Sequence, residues 1–503
     1  MASAVRGPSW DANLILHGRR NDSPAAQLRN EHWRHQTRKP WECIPPLITD
    51  ETLRAARPVT KIAHRANNGL RALFAAIPAA SRAKPVAYSI ADQVLAVTGT
   101  FLVNVVLART QTKTEYGTFA LTYSVFTFLA GLHNAAILEP YTVYGSGRYR
   151  SRYSAYLRLM ARNNAFVGLL LMGSVLGACL LFVWVAPRLV SRALVGLGLT
   201  VGILLSGSSL RRAFYVQREA AFAAKTSFVF LVTVAVGLWL TSKAHRLDSF
   251  SVFLILALGW ITAGACHARK LHWGESPQTF GETEPHYWRE HWNYMRWVLA
   301  TALIFQVTTQ GYYWLVAGFL SVKDVAGLKA IYILVAPIDQ LFAALSYVVL
   351  PMMSSHFAAN RPGHLVSILK QYSFLAVGAT SLFAILVRTV GRPVMHALYA
   401  GKFDDLAPLL FTLSLLPVVM GIGHAMNDAL KALEKPRLVF FAYACSGAAT
   451  FLVGIPLVMH SGLRGAIYGM LLSGATYSAA LTVGFLAVFD RTRRGAETAV
   501  NNL

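Results

Sequence analysis

Residues 250–267 read FSVFLILALGWITAGACH, a run without a single Asp, Glu, Lys or Arg. A helix needs ~20 mostly apolar residues to cross the hydrocarbon core of a bilayer. Just upstream, residues 222–241 form a second such run, FAAKTSFVFLVTVAVGLWLT, and a short polar stretch, SKAHRLDS, separates the two. Two apolar runs with a short link read as a membrane hairpin. Moving outward in both directions, the same pattern recurs near 86–108, 116–138, 164–186, 193–214, 294–320, 325–353, 365–387, 406–426, 438–460 and 466–489. The predicted fold class is therefore all-α, a polytopic membrane protein of about twelve transmembrane helices in two six-helix lobes.

Composition agrees with run length. Hydrophobic residues make up 55% of the 503 residues and charged residues only 14%, against ~25% charge in a soluble domain. The formal charge of +24 raises the question of nucleic acid. The chain has no zinc-finger spacing and no basic-zipper heptad, and a surplus of Lys and Arg in a membrane protein marks the loops on one side. No nucleic-acid partner is expected. Cys43 lies in the polar N-terminal part, and Cys179, Cys266 and Cys445 lie in apolar runs. No CxxC pair occurs, so neither a disulfide framework nor a metal site is expected.

The order of segments predicts residues 1–50 as a disordered cytoplasmic tail and 51–85 as a basic amphipathic or linker segment. Residues 86–268 form a first six-helix lobe, 269–293 a cytoplasmic linker, 294–490 a second lobe and 491–503 a tail. Within 61–77, Ile62, Ala66, Leu70, Leu73, Phe74 and Ile77 share a helical face, with Lys61, Arg65 and Arg71 off it. Such a helix suits an anionic leaflet, and equally a plain linker. Placing the N-terminus in the cytoplasm puts 21 Lys and Arg in the cytoplasmic gaps and 12 in the opposite ones, with 14 more in the N-terminal segment. The positive-inside rule then favours both termini in the cytoplasm.

The two halves echo each other. At an offset of 210, Lys113, Gly117 and Ala120 fall on Lys323, Gly327 and Ala330; separately, at the ends of later spans, Arg212-Ala-Phe-Tyr echoes Lys431-Ala-Leu-Glu. Parallel halves related by an axis along the membrane normal suit a transporter that rocks between two openings.

Several segments resemble a known family in their order and spacing. These are ADQVL at 91–95, FLVNVVLAR at 101–109, EYGTFA at 115–120, LEP at 138–140, LRRAFY at 210–215, Pro337 and Pro351, LYAGKF at 398–403 and GLRGA at 462–466. Over roughly 86–490 the chain resembles polysaccharide flippases of the Wzx type, within the multidrug/oligosaccharidyl-lipid/polysaccharide exporter superfamily. The resemblance implies a transporter rather than an enzyme. Its cargo would be an undecaprenyl-diphosphate-linked oligosaccharide, crossing the bacterial cytoplasmic (inner) membrane by alternating access for exopolysaccharide or O-antigen synthesis. Membrane lipids and polysaccharide polymerase or export machinery would be its partners. The physical task suits that architecture, because stripping a sugar head of water costs several kcal/mol per polar group.

Polar groups inside the spans are the candidates for this work. Asp92 and Asp339 are carboxylates placed to couple transport to a proton or sodium ion, and no other cofactor is expected. Arg109, Arg211 and Arg212 are cations for a diphosphate. Gln306, Gln310 and Tyr312 offer amides and an aromatic face to a sugar. Each also has a structural reading: Asp339 can pair with a neighbouring helix, the Arg residues can serve topology, and the aromatics can form an interfacial belt. No Lys or Arg is expected at mid-depth. Pro337, Pro351, Pro417 and Pro456 can bend their helices. Neither a Walker A sequence nor HExxH is present. An ion-coupled drug or metabolite exporter of the same superfamily is the closest rival. A membrane polysaccharide polymerase or ligase is the enzymatic one, set back by short outer loops, of which 388–405 reads as the longest.

Overall fold

The structure is a computed structural model that describes residues 80–146, 149–182, 187–271, 273, 287–359 and 362–501. The tail at 1–50 and the amphipathic segment at 61–77 lie outside the described residues. The described residues are helical and form no strand.

The first lobe holds α1 (Ala80–Thr110), α2 (Lys113–His133), α3 (Glu139–Ser146), α4 (Tyr153–Phe182), α5 (Arg188–Val216), α6 (Ala220–Lys243) and α7 (Ser249–His267). A π-helical turn, Asn134–Leu138, joins α2 to α3 into one span. The second lobe holds α8 (Tyr287–Phe319), α9 (Val322–Val335), α10 (Pro337–Ala358), α11 (Pro362–Tyr399), α12 (Ala407–Ala432), α13 (Pro436–Ala449) and α14 (Ile455–Asn501). Among the described residues nine helices are long and apolar enough to cross a membrane, and α9 with α10 makes a tenth, bent by 44°. The bend falls where Pro337 opens α10, since proline cannot donate to the preceding turn.

Two more crossings complete twelve. The stretch Pro436–Phe489 is 54 residues, about 80 Å if straight, more than twice a bilayer core. It folds back at Gly462, whose φ of 59° and ψ of −136° are open chiefly to glycine. After the reversal an added Cβ at Gly465 would strike the Leu457 carbonyl, so the two arms touch. The remaining crossing is α8, whose first turns carry Arg289, Glu290 and Arg296 ahead of its apolar part.

Among the described residues the apolar runs lie on helices, but several ends move. α4 starts at Tyr153, so Arg158 and Arg162 ride on its first turns rather than in a loop. α11 continues to Tyr399, so the outer gap expected at 388–405 is mostly helix. The halves correspond through their caps. Thr112 accepts from the Glu115 amide at the start of α2, and Ser321 accepts from the Asp324 amide at the start of α9. Pairing those caps gives an offset of 209, one residue from the offset of 210 that aligns the side chains.

These two equivalent helices meet at the centre. A Cβ at Gly117 would overlap the Val322 carbonyl, so α2 and α9 approach backbone to backbone. The main core spans this contact, with Val103, Tyr116, Phe119, Leu197 and Phe253 from one lobe and Val325, Ile331 and Met395 from the other.

Candidate functional site

The sequence places Asp339 two residues after Pro337, in the first turn of α10 just past the 44° bend. Its side chain is accessible, yet protein surrounds it on most sides. Tyr332, on the last turn of α9, donates to Asp339 Oδ2 at 3.2 Å. The Tyr332 ring meets Tyr313 of α8 edge-on at 6.4 Å. Beside them lies Lys329, 8% exposed, seven residues into α9 and so about 10 Å along it. Its ammonium stands 5.1 Å from the ring centre of Tyr123, on α2, and 5.6 Å from that of Tyr313.

This corrects the expectation that no cation sits at depth. Lys329 falls close to the apparent start of its apolar run, so it reads as an end residue until α9 is seen to begin at Val322. Among the described residues no carboxylate lies within ion-pair distance of it. Rings are an incomplete substitute for water around an ammonium.

Other polar groups converge nearby. Trp314 of α8 donates to Ser124 of α2 at 2.9 Å. The Gln306 amide rests against the backbone of Gly131, with its Oε1 buried and unpartnered. Tyr313 Oη is likewise buried without a partner. The contact between α2 of the first lobe and α8 and α9 of the second thus gathers one cation, several rings and buried polar atoms without a partner, with the Asp339 carboxylate bonded to Tyr332 beside it. Gln310 is half-buried on the same helix.

Tyr312 is elsewhere. Its hydroxyl shares a hydrogen bond with Ser473 at 3.0 Å, inside the second lobe, and the backbones of Gly454 and Gly469 close on it. It holds that lobe together, away from Lys329 and its ring partners.

The three arginines do not form one diphosphate site. Arg211 is bound to Asp92, which is fully buried: Nε donates to Oδ1 at 3.0 Å and Nη2 to Oδ2 at 2.6 Å. Tyr215 and Ser227 also donate to that carboxylate. Asp92 therefore clamps α1, α5 and α6 and already has four donors. Arg212 donates to Asn134 Oδ1 at 3.1 Å, steadying the π turn. Arg109 is about 25 Å further along α1 than Asp92, at the opposite face. There Arg109 Nη1 donates to the Ala397 carbonyl at 2.6 Å, in the last turn of α11. In return Lys402 Nζ donates to the carbonyls of Arg109 and Gln111 at 2.7 and 2.8 Å.

Each lobe thus caps a helix C-terminus of the other with a cation, where orphan carbonyls and the helix dipole favour one. Lys113 lies 4.0 Å from Asp405 and over the Phe403 ring. The backbone reaches this position through left-handed Ala400 and Gly401. These contacts form a latch between the lobes at the end of α1.

At the other end, the first turns of α8 pack on the first lobe. Tyr149 donates to Glu290 at 3.0 Å, Tyr294 to Glu139 at 3.3 Å, and Asn163 to Tyr287 at 2.9 Å. His291, ahead of the apolar part of α8, is 3.2 Å from Tyr156 Oη. Burial lowers its pKa to about 4, so it is neutral there.

No family model matches the chain, and no curated protein matches it. Solved structures do. The inward-facing conformation of a multidrug resistance MATE family transporter of the MOP superfamily is 11% identical, with a TM-score of 0.67 over 81% of this chain and 98% of that one. The lipid II flippase MurJ in an inward closed conformation is 16% identical, with a TM-score of 0.62 over 79% of this chain and 87% of that one. An outward-facing conformation of a multidrug resistance MATE family transporter of the MOP superfamily gives 12% and 0.55, over 82% and 96%. At such identities the likeness concerns the fold: the chain has the two-lobed, all-α membrane fold of these transporters.

Proposed function

We propose that this chain is a flippase that carries a polyprenyl-diphosphate-linked oligosaccharide across the bacterial cytoplasmic membrane by rocking its lobes. One observation carries the reading: Lys329 is buried between the lobes, faced by tyrosines and lacking an acidic partner among the described residues. A diphosphate would satisfy it, and Tyr123, Tyr313 and Gln306 would meet the neighbouring sugar by ring contact and hydrogen bonding. The tail stays in the bilayer, where it costs nothing to solvate.

The latch shuts the end of the cleft opposite the Arg-rich face, which the positive-inside rule assigns to the cytoplasm. A cargo made in the cytoplasm would enter a cleft closed on its far side, and the higher TM-score to an inward-facing transporter supports that state. Asp339 is the coupling candidate, since it is accessible in the same cleft. Asp92 is the weaker one, because it is already saturated by donors.

Proteoliposomes holding the purified chain and a fluorescent lipid-linked oligosaccharide test this. Wild type should expose the labelled head on the far leaflet, and Lys329→Met should lose at least tenfold of the rate at equal insertion. Undiminished flipping by Lys329→Met removes the site. Export of cationic dyes without any lipid flipping would favour the drug-exporter reading, for which Asp339 is the supporting group. Reporter fusions after Lys113 and Arg464 should report the periplasm, and after Arg150 the cytoplasm.

A further inference from the structure

A cavity of about 580 Å³ lies in the first lobe, away from the cleft, and all its lining residues fall between Ile137 and Trp273. Its floor is α5, where Gly202, Ser206, Gly207 and Ala213 keep the surface low, and the Trp260 ring lies directly on Gly207. Its walls are α4 and α7. From Leu157 to Met172 on α4 it runs about 22 Å, longer than the ~15 Å of one leaflet's hydrocarbon. The volume suits one chain-like ligand.

The cavity opens sideways. Ala165 and Leu169 on α4, and Ile261 and Ala265 on α7, line it and are exposed. These helices span the membrane, so the opening faces acyl chains. Its one strongly polar wall residue is already satisfied: Asn164 bonds His133 at 2.8 Å, Ser206 at 3.0 Å and Ser209 at 2.6 Å. The interior therefore asks for hydrocarbon.

The ends of both lips ask for an anion. Stepping by helical spacing from Leu169 and Ala165 leads to Arg162 and Arg158, and from Ile261 and Ala265 to Arg269, with Lys270 next. Arg158 also donates to the Trp273 carbonyl, and Trp273 closes that end of the cavity. Two basic lips and a tryptophan stand where the headgroups begin.

We propose that the first lobe binds one anionic phospholipid, with one acyl chain in the crevice between α4 and α7. Its phosphate is held between Arg158 and Arg162 on one lip and Arg269 and Lys270 on the other. The site is confined to one lobe, so it does not move apart when the lobes rock, and the lipid is a resident rather than a cargo.

Native mass spectrometry of the full chain, titrated with phosphatidylglycerol or phosphatidylcholine, tests this. Wild type should retain one phosphatidylglycerol and prefer it over phosphatidylcholine. The double variant Arg162→Gln, Arg269→Gln should bind it about thirtyfold more weakly, the loss of two cations at an anionic surface. Gly264→Phe should block the crevice, because a Cβ there meets only Leu210 at 3.9 Å and the ring must enter the cavity. Gly173→Phe, where nothing lies within 4 Å, should bind as wild type. Should Gly264→Phe fail to fold, the arginine pair decides alone, since both are exposed. Equal binding of the two lipids, or wild-type preference in the arginine pair, overturns the proposal. So does stoichiometric displacement by undecaprenyl phosphate, which would make the crevice a seat for the carrier's tail.

Discussion

The two junctions between the lobes are built from different chemistry. At the latch, cations reach across to backbone carbonyls: Arg109 to Ala397, and Lys402 to Arg109 and Gln111. Arg109 is exposed and Lys402 half-buried, so water can replace each bond as it breaks. At the Arg-rich face, Tyr287 and His291 of α8 enter a cluster with Tyr144, Tyr149 and Tyr156 of the first lobe. Tyr156 is fully buried and Tyr287 nearly so. Separating buried rings exposes apolar area and orphaned hydroxyls together. The latch is suited to opening, and the aromatic junction to holding. The first turns of α8 thus travel with the first lobe, although α8 opens the second half of the sequence.

Substitutions can break that contrast. The largest effect belongs to the clamp that braces the first lobe. Asp92→Ala leaves the half-buried Arg211 unpaired and should cost about 3 kcal/mol, read as a fall in unfolding temperature in detergent. Adding Arg211→Met should recover much of that loss. No recovery would mean that the clamp is not a pair.

Next comes the aromatic junction. Tyr156→Phe keeps the ring but strands His291, at about 1–3 kcal/mol for a buried group left unsatisfied. Spin labels on α8 and α4 should report looser docking. An unchanged distance distribution and melting point would remove Tyr156 from the junction.

Lys402→Met should cost less, about 0.3–1 kcal/mol per helix terminus released. It should act on the gate rather than on folding. A cysteine at Gln111 should react several-fold faster with an impermeant thiol reagent, while the melting point barely moves. A large loss of stability with no change in labelling would make the latch a structural strut.

The smallest effect is on pH. The folded pKa of His291 lies below its unfolded value of ~6.5. Its contribution is therefore fully present above pH ~6.5 and is lost as pH falls towards 4. The α8–α4 docking should loosen over that interval, and His291→Gln should flatten the response.

Much of the fold was legible because bilayer thickness imposes a length on every crossing. The runs at 222–241 and 250–267 became α6 and α7 within a few residues. The hairpin at Gly462 was legible too, since a polar break separated two runs. Asp339 and Gln306 were conspicuous in the sequence because each is a polar group inside an apolar run. Lys329 was not, as it sits near the edge of its run. Arg158 and Arg162 precede the apolar run at 164–186, and their charge hides the first turns of α4.

The sequence by itself determined the class, the crossings and the side on which basic residues gather, because these follow from local hydropathy and charge. Only the tertiary structure decided that Asp92 belongs to Arg211, that Arg109 caps α11, that Tyr312 is buried in its own lobe and that Lys329 is buried against Tyr123 and Tyr313. Those outcomes depend on contacts between helices far apart in the chain. Apolar periodicity says that a helix is buried in the membrane, and it carries no information about which neighbour each polar side chain meets.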